Sequence, residues 1–453
     1  MQRLALVALL LVACSAESAP DPTAASIPAS APPKSDRSII LISLDTLRAD
    51  YIGLYGYRKH RTSPTLDAFA RESVVFDASM VTEPVTLTSH MGLMTGLYPH
   101  HHGVSDTSKL PAGIETLAER LRGFGYATRA HADGGYMRPR WGIDRGFDHY
   151  RGNQRRGARR VFKEPRTWIR EHQDRPFFLF LHVYDAHNVG KGPRYVAKRP
   201  FRGLFSRRLR SRSTAAVVKS MVPHFLATDR DKAFIRATYA ESVRDLDAQI
   251  RDLFAFLKRR GVWDDALIIL WSDHGEGLFD HGTFGHDQVF EHTARSVLMM
   301  KVPGVEGGRR VASVVREIDI LPTILELVGA PPVEGIDGRS FAALLRGEAT
   351  HEGFAITKLT RSTKRLFSLR TDTHRYIWDG NTNESFLFDH RVDPDETQNL
   401  SPSGGDLEAG LHVRVLAWME EYDSTMATRA QAQPAVPLDA ETRDALEALG
   451  YLN

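Results

Sequence analysis

Three apolar runs, each followed at once by acidic or histidine side chains, constrain this chain more than any other feature of its sequence. The runs are SIILISL at 38–44, FFLFLHV at 177–183 and ALIILWS at 266–272. Continuous apolar runs of this length are typical of strands that are covered on both faces of a parallel sheet. Amphipathic helical stretches separate them, so the sequence predicts an α/β fold with a large, mostly parallel sheet.

Polar side chains with metal-binding capacity follow each run where the predicted strand ends. Asp45 follows the first run, Asp185 and His187 follow the second, and Asp273 and His274 follow the third. Open α/β sheets bind their ligands at the carboxyl ends of the strands. A single aspartate in such a position is more often a turn or helix-cap residue. Three such positions in one chain favour a metal or ligand site at this edge.

The remaining pattern divides the chain into a larger and a smaller unit. Apolar residues recur at helical spacing at 66–72, 114–122 and 229–260. Short strands are predicted at 354–359, 366–371, 375–379 and 385–389, and a helix at 407–422. We therefore predict a main α/β domain over residues 37–347 and a small C-terminal α+β subdomain over 348–453.

The first 36 residues have the layout of an export signal followed by a tether. Arg3 precedes an apolar run over residues 4–13, which is about half of the ~20 residues that a spanning helix needs. The run ends in LVAC, which resembles a bacterial lipoprotein box. The sequence thus predicts a signal peptide at 1–13, a lipidated Cys14 and an Ala/Pro/Ser-rich tether at 14–36. An ordinary cleaved signal with an incidental cysteine is the alternative.

Location and partners follow from the same segment and from the charge. We expect export and lipid anchoring to the bacterial cell envelope, at the outer membrane where one exists because Ser15 rather than aspartate follows Cys14. The single cysteine excludes an intrachain disulfide. A net charge of +3 gives no reason to expect nucleic acid as a partner. Nine basic and no acidic residues between Lys191 and Arg212 form either a solvated surface or a contact with a polyanion, such as an acidic polysaccharide or lipid headgroups.

Motifs that cover nearly the whole folded chain carry a family resemblance. They are IILISLDTLRADYIGLYG at 39–56, SPTLD at 63–67, TLTSHMGLMTGLYPHHHG at 86–103, RGFD at 145–148, DHGEG at 273–277, DILPTILELV at 319–328, GRS at 338–340 and DPDETQNL at 393–400. In this order they resemble the sulfatase branch of the alkaline phosphatase superfamily. The resemblance implies an alkaline-phosphatase-like three-layer sandwich over residues 37–347 and a metal-dependent hydrolase.

The nucleophile position departs from the sulfatase pattern. Sulfatases begin a Cys/Ser-x-Pro-x-Arg motif with the residue that becomes formylglycine, and here Thr86, Thr88 and His90 occupy the Cys/Ser, Pro and Arg positions. Threonine cannot be converted to formylglycine. The resemblance to phosphodiesterases and phosphotransferases of the superfamily implies instead that unmodified Thr86 attacks the substrate and forms a covalent intermediate. A helix N-cap is the alternative role.

The resemblance also implies a metal site. It assigns Asp45, Asp273 and His274 as ligands of the catalytic cation, with the Thr86 oxygen as a further ligand. Sulfatases often have a second aspartate at Thr46 and an asparagine at His274, and they hold calcium in an all-oxygen shell. Relative to that pattern, this chain lacks one carboxylate and has one additional imidazole. This change favours zinc or manganese over calcium.

Three histidines match family positions that contact the substrate. His187 corresponds to a histidine that contacts the anionic group or protonates the leaving group, whereas His90 and His286 replace an arginine and a lysine. A second metal site formed by Asp185, His187 and His286 is an alternative, although hydrogen-bonding histidines around one metal explain the same residues. We interpret His281 and the run at 100–102 as loop or structural residues.

The resemblance therefore implies a hydrolase that cleaves phosphate or sulfate esters by in-line displacement from Thr86. The expected substrate is an anionic ester of a small molecule, a glycan or a lipid. Two alternatives differ in class: a sulfuric ester hydrolase that works without formylglycine, and a non-catalytic surface lipoprotein that acts as a binding module. Retention of Asp45 and Asp273 argues against the binding module, because buried carboxylates repel each other without a cation.

Overall fold

The computed structural model describes residues 37–152, 157–189, 194–209, 227–348, 353–361, 363–432 and 438–449. The predicted signal peptide, Cys14, the predicted tether and part of the basic run lie outside the described residues. Among the helices in these ranges, none combines the length and the apolar character that crossing a bilayer requires.

A nine-stranded sheet forms the centre of the main domain. The first eleven strands in chain order are β1 (Ile39–Leu44), β2 (Val74–Met80), β3 (Ala127–Ala132), β4 (His149–Arg151), β5 (Phe177–Val183), β6 (Leu267–Trp271), β7 (Gly277–Leu278), β8 (Phe284–Gly285), β9 (Arg295–Lys301), β10 (Arg309–Val311) and β11 (Val315–Arg316). The sheet order is β10-β2-β9-β6-β1-β5-β3-β4, with β11 also paired to β2, whereas β7 and β8 pair only with each other. Only the β2–β9 and β6–β9 pairs are antiparallel, so the sheet is mostly parallel.

Helices cover both faces of this sheet. They are α1 (Pro64–Phe69), α2 (Thr86–Thr95), α3 (Pro99–His102), α4 (Leu117–Gly123), α5 (Ala158–Val161), α6 (Arg166–His172), α7 (Asp229–Arg259), α8 (Glu291–Ala294), α9 (Ile320–Leu327), α10 (Ala342–Arg346), α11 (Gly405–Ala432) and α12 (Ala440–Leu449). In β1, Ile39 and Leu41 face a core shared with α2, α4 and α9. Ile40 and Ile42 face a second core shared with α1, α5 and α7. Successive apolar side chains of β1 thus point to opposite faces of the sheet, and each face packs against helices. This produces the three layers expected from the sequence.

The C-terminal region adds a four-stranded antiparallel sheet. Its strands are β12 (Phe354–Arg361), β13 (Lys364–Thr371), β14 (His374–Asp379) and β15 (Glu384–Asp389). Leu411 and Val415 of α11 pack on one face of this sheet in a small apolar cluster. The last helix, α12, instead buries Leu446 in the core of the main domain.

Three helices differ in their bounds from those that the sequence predicts. The helix predicted from residue 114 begins at Leu117, because Thr116 and Glu119 form a capping box. The helix predicted at 66–72 divides into α1 and a 3-10 turn over Ala70–Glu72. The helix predicted at 407–422 corresponds to α11, which continues to Ala432.

Candidate active site

Three neighbouring strands, β6, β1 and β5, bring the candidate ligands to one edge of the sheet. Leu44 pairs with Val183, and Ser43 pairs with Trp271, so the three strands end side by side. The Asp45 backbone amide then donates to Val183 O at 3.0 Å. The side chains that follow these strands are therefore brought together by parallel pairing alone.

Thr86 is the first residue of α2 and points its hydroxyl at this edge. Its Oγ1 lies 3.2 Å from Asp45 Oδ2 and 3.4 Å from His274 Nε2. Tyr184 donates its hydroxyl to the same oxygen at 3.4 Å. The N-cap residue of α2 is Val85, so Thr86 does not occupy the capping position. Its hydroxyl is directed into the cluster of polar side chains.

The turn after β1 is held in a strained conformation. Thr46 has φ of 53°, which a β-branched residue rarely adopts. Its amide donates to Asp273 Oδ1 at 3.1 Å, and its carbonyl accepts from the Tyr239 hydroxyl at 2.7 Å. The Thr46 hydroxyl donates to Asp45 O at 2.8 Å. This strained conformation directs the Thr46 backbone amide toward Asp273.

The fully buried side chains of Asp45, Asp273 and His274 form a group whose ligand atoms all lie within 4.8 Å of one another. His274 donates Nδ1–H to Gly275 O at 2.8 Å, which leaves the Nε2 lone pair directed toward Asp273 Oδ2 at 3.6 Å. A carbonyl partner on the other ring nitrogen is the usual arrangement of a metal-binding histidine. These three side chains are the candidate metal ligands that the sequence predicted.

His182 joins this group although the sequence analysis did not select it. Its Nδ1 donates to Asp133 O at 2.9 Å, and its Nε2 lies 3.3 Å from Asp45 Oδ2. Burial lowers the pKa of His182 far below its usual value, so the ring is neutral at neutral pH. A nitrogen lone pair thus faces a carboxylate oxygen. His182 lies inside an apolar run, and its penultimate position in β5 is the one signal that could have identified it.

Several observations fit a cation in this group. Asp45 Oδ1 and Asp273 Oδ2 are buried and have no hydrogen-bond partner among the described residues. Burial and the neighbouring Asp273 carboxylate raise the pKa of Asp45 well above its usual value. A divalent ion would provide a partner for these oxygens and would remove the repulsion between the two carboxylates. Two carboxylates with one or two imidazoles form a donor set for a divalent metal ion.

The His90 ring contacts the backbone of Thr86 and does not face the side on which a substrate would meet the Thr86 hydroxyl. Its Nδ1 donates to Thr86 O at 2.6 Å, and its Nε2 accepts from Ser43 Oγ at 2.8 Å. The ring is fully buried, and burial lowers its pKa. The family alignment predicted a role in binding the anionic group. Here both ring nitrogens are engaged in holding the first turn of α2 against β1.

The buried rings of His187 and His286 lie next to Tyr184 and His274, respectively. His286 donates Nδ1–H to Pro84 O at 2.8 Å, and its ring centre is 4.4 Å from that of His274. His187 donates Nδ1–H to Asn188 O at 2.7 Å. Burial lowers the pKa of His187 to about 4 and that of His286 well below its usual value, so both rings are neutral at neutral pH.

The alternative second metal site is not assembled. Asp185 Oδ2 accepts from the Ala158 amide at 2.6 Å, at the start of α5. The ring centres of His187 and His286 are 6.2 Å apart. Among the described residues, the groups with converging ligand atoms do not include these three side chains. Asp185 thus takes the helix-terminus role that is common for an aspartate after a strand.

The family assignment comes from sequence comparison. The model of the Sulfatase family matches residues 37–330, and the model of the N-sulphoglucosamine sulphohydrolase C-terminal region matches residues 279–417. The chain belongs to the sulfatase family. It is a hydrolase that acts on sulfate or phosphate ester bonds. Sulfatase-family enzymes are metal-dependent, and the group of Asp45, Asp273 and His274 offers ligands for such a metal.

Similar proteins include both phosphorus and sulfur ester hydrolases. The multifunctional alkaline phosphatase superfamily protein PehA of Trinickia caryophylli is 24% identical over 88% of this chain and 98% of its own length. The phosphonate monoester hydrolase of Agrobacterium radiobacter superimposes with a TM-score of 0.69 at 21% identity, covering 85% of this chain and 96% of that one. BT4656, solved with its substrate D-glucosamine-2-N,6-O-disulfate, gives a TM-score of 0.64 at 18% identity, covering 86% and 98%. These structural similarities show a shared fold.

Proposed function

We propose that this sulfatase-family hydrolase cleaves phosphate esters through a covalent intermediate on Thr86. The observation that supports this most directly is the placement of Thr86 Oγ1, 3.2 Å from Asp45 Oδ2 and 3.4 Å from His274 Nε2. An unmodified hydroxyl needs a base or a metal to become a nucleophile, and this position offers both. A divalent ion held by Asp45, Asp273 and His274 would lower the pKa of the hydroxyl and stabilise charge on the substrate oxygens.

The side chains supply the proton transfers. Thr86 Oγ1 attacks phosphorus, and its proton moves along the existing hydrogen bond to Asp45 Oδ2 as the new P–O bond forms. The bond to the leaving oxygen breaks. Binding of the anionic substrate next to His187 raises the pKa of that ring, so the ring gains a proton and delivers it to the leaving oxygen. Water then attacks phosphorus and gives one proton to the His187 ring, while the bond to Thr86 Oγ1 breaks and Asp45 returns its proton to that oxygen.

The proposed preference for phosphorus follows from the chemistry of the nucleophile. Formylglycine hydrate expels sulfate by elimination, without a second attack at sulfur. A threonine ester has no such route and must be cleaved by water, which metal-activated water does readily for phosphate esters. The phosphonate monoester hydrolase similarity agrees with this preference. Neighbours that bind sulfated sugars extend the candidate substrates to anionic esters on glycans.

Matched substrates and a matched variant test the proposal. We expect the wild type to turn over an aryl phosphate ester faster than the corresponding sulfate ester. Thr86→Ala should lose several orders of magnitude in the chemical step while its metal content is unchanged. Thr88→Ala, two residues further along α2 with its hydroxyl bonded to Val85 O, is the control and should keep its activity.

Mass spectrometry of the acid-quenched wild type should detect a phosphoryl group on Thr86. Undiminished hydrolysis by Thr86→Ala would remove Thr86 from the mechanism. A clear preference for sulfate would support the alternative of a sulfuric ester hydrolase without formylglycine. No turnover of any ester by the metal-loaded wild type would support the alternative of a binding module.

We also propose that Cys14 carries lipid and anchors the enzyme to the cell envelope. The support is the LVAC sequence at the end of the apolar run and the tether that follows it. Cys14→Ala should release soluble protein with intact activity, as measured by fractionation of cells into membrane and soluble parts. Retention of that variant in the membrane fraction would contradict the proposal.

A further inference from the structure

A second group of converging ligand atoms lies away from the active site, where α3 meets α11. It consists of His100, His101 and Glu421, whose ligand atoms all lie within 4.8 Å of one another. The distance from His101 Nε2 to Glu421 Oε1 is 3.4 Å, and that from His100 Nε2 to the same oxygen is 3.9 Å. Ligands that share one zinc ion with bonds of about 2.1 Å are separated by similar distances.

His101 is oriented as a metal ligand would be. Its Nδ1 lies 2.8 Å from Asp337 Oδ2, so the ring donates from Nδ1 and presents Nε2 toward Glu421. Asp337 is itself fixed, because its Oδ2 accepts from the Tyr98 amide at 2.7 Å. A carboxylate that holds the far nitrogen of a histidine is the usual support of a zinc ligand.

His100 provides an independent observation. Its side chain is fully buried, and neither ring nitrogen has a hydrogen-bond partner within the described part of the chain. The ring is enclosed by Trp418 and Tyr422 of α11, with ring centres 4.9 and 5.6 Å away. Leaving a buried polar atom unpaired is costly. A metal ion coordinated by Nε2, the nitrogen nearer to Glu421, would remove part of that cost.

We propose that His100, His101 and Glu421 bind a zinc ion that joins the C-terminal helix α11 to α3 of the main domain. Two imidazoles and one carboxylate form a donor set that zinc favours, with water completing the shell. Glu421 is half-exposed, so solvent and the ion reach the group from the surface. Arg429 lies close by, but it donates to the backbone carbonyl of His101 rather than to a ligand atom.

The site differs from the proposed catalytic centre in its residues and in its purpose. None of its three ligands belongs to the proposed catalytic centre, so its loss should leave ester hydrolysis unchanged. Its effect is to cross-link two helices that are far apart in sequence. Zinc that binds only the folded chain raises the melting temperature Tm, and removal of a ligand should abolish that part of the increase.

Zinc content and zinc-dependent Tm of the full chain test the proposal. We expect Glu421→Gln and His101→Gln each to bind one fewer zinc ion per chain than the wild type, with hydrolysis unchanged. Glu420→Gln is the matched control, because Glu420 is the neighbouring exposed glutamate on the same helix. Zinc in excess should raise the Tm of the wild type and of Glu420→Gln by about 2–4 °C more than that of Glu421→Gln.

The comparison among variants does not depend on how many ions the active site holds. Equal zinc content and equal Tm increase in the wild type, Glu421→Gln and His101→Gln would overturn the proposal. A matching loss in Glu420→Gln would overturn it as well, because the zinc would then bind the helix surface non-specifically. Failure of Thr86 as nucleophile changes neither result.

Discussion

At the scale of single residues, the site depends on pairs of groups that repel each other without a positive charge between them. The His182 Nε2 lone pair faces Asp45 Oδ2 at 3.3 Å, and the Asp273 carboxylate lies within the same group. The strained Thr46 turn holds these groups close instead of allowing them to separate. A cation bound between these groups would remove this repulsion, so we expect metal affinity to be the property most sensitive to His182.

His182→Gln should therefore weaken metal binding by at least about 10–100-fold. The variant removes the ring nitrogen beside Asp45 and keeps a polar side chain in β5. Competition with a chelator, followed by metal analysis, measures the change. His172→Gln is the matched control, since His172 also bonds to a backbone carbonyl but lies in α6 far from the site. Equal affinity in the two variants would exclude His182 from the metal site.

Thr86→Ser should keep part of the activity that Thr86→Ala loses. The serine retains the hydroxyl that lies between Asp45 and His274. It lacks the methyl group that restricts rotation about χ1, so the hydroxyl spends less time aimed at the substrate. The value of kcat should fall while the metal content stays constant. A serine variant as inactive as the alanine variant would show that the hydroxyl alone is not sufficient.

The sequence pattern identified those site residues that are typical metal ligands and that follow the end of a predicted strand. It did not identify the others. Asp45, Asp273 and His274 lie within three residues of the ends of their strands, so parallel pairing brings them together. Only its position next to the end of β5 distinguishes His182 from its apolar neighbours, and that signal is weak because a buried histidine in a strand is usually a core residue. The role of His90 depended on which side of Thr86 the ring occupies. That side is set by the orientation of α2, which one sequence does not specify.

At the scale of elements, a buried carboxyl couples α2 to the turn before α9. Glu317 is fully buried, and its Oε1 accepts from the Thr82 amide at 2.7 Å. Gly92 of α2 packs on the same oxygen, which would lie only 3.1 Å from the Cβ of any larger residue at that position. Burial raises the pKa of Glu317 to about 7. The strands and helices were predictable from periodicity, but this contact joins loops that are distant in sequence and leaves no pattern.

The raised pKa of Glu317 gives a pH dependence with a definite sign. The folded state holds this proton more tightly than the unfolded state, whose glutamate titrates near 4.5. The stabilisation is complete below that pH and is lost as the pH rises through about 7. Relative to Glu317→Gln, the wild type should lose about 2–3 kcal/mol of unfolding free energy between those limits.

Chemical denaturation of both proteins at a series of pH values measures this difference. Glu326→Gln is the control, because Glu326 is half-exposed in α9 and pairs with Arg346 at the surface. Its difference from the wild type should not change with pH in the same way. A constant difference between the wild type and Glu317→Gln would mean that Glu317 has the same pKa in the folded and unfolded states.

At the scale of the whole molecule, a buried ion cluster joins the C-terminal sheet to the main domain. Arg375 of β14 has no exposed side-chain surface and places Nη2 2.5 Å from Glu291 Oε2 in α8. Its Nε lies 2.7 Å from Glu396 Oε1, and Glu396 Oε2 accepts from the Glu291 amide at 2.7 Å. Arg375 also donates to Val289 O at 3.0 Å. The Arg375 guanidinium thus pairs with two carboxylates and one carbonyl, which come from the main domain and from the C-terminal region.

Arg375→Met should lower the free energy of unfolding by about 3–5 kcal/mol. Methionine is apolar and of similar length, so the main loss is charge compensation. The buried carboxylates Glu291 and Glu396 lose their closest cation, whereas Arg370, 3.5 Å from Glu291, and His390, 2.9 Å from Glu396, stay nearby. Arg391→Met is the control, because Arg391 pairs with Asp389 at the surface of the same sheet and should show no measurable change.

Adding Glu396→Gln to Arg375→Met should recover part of the lost stability, since it removes one uncompensated charge. Glu396→Gln alone should destabilise the wild type. Denaturant unfolding of the single and double variants measures both effects, and simple additivity of the two changes would contradict the proposed electrostatic coupling.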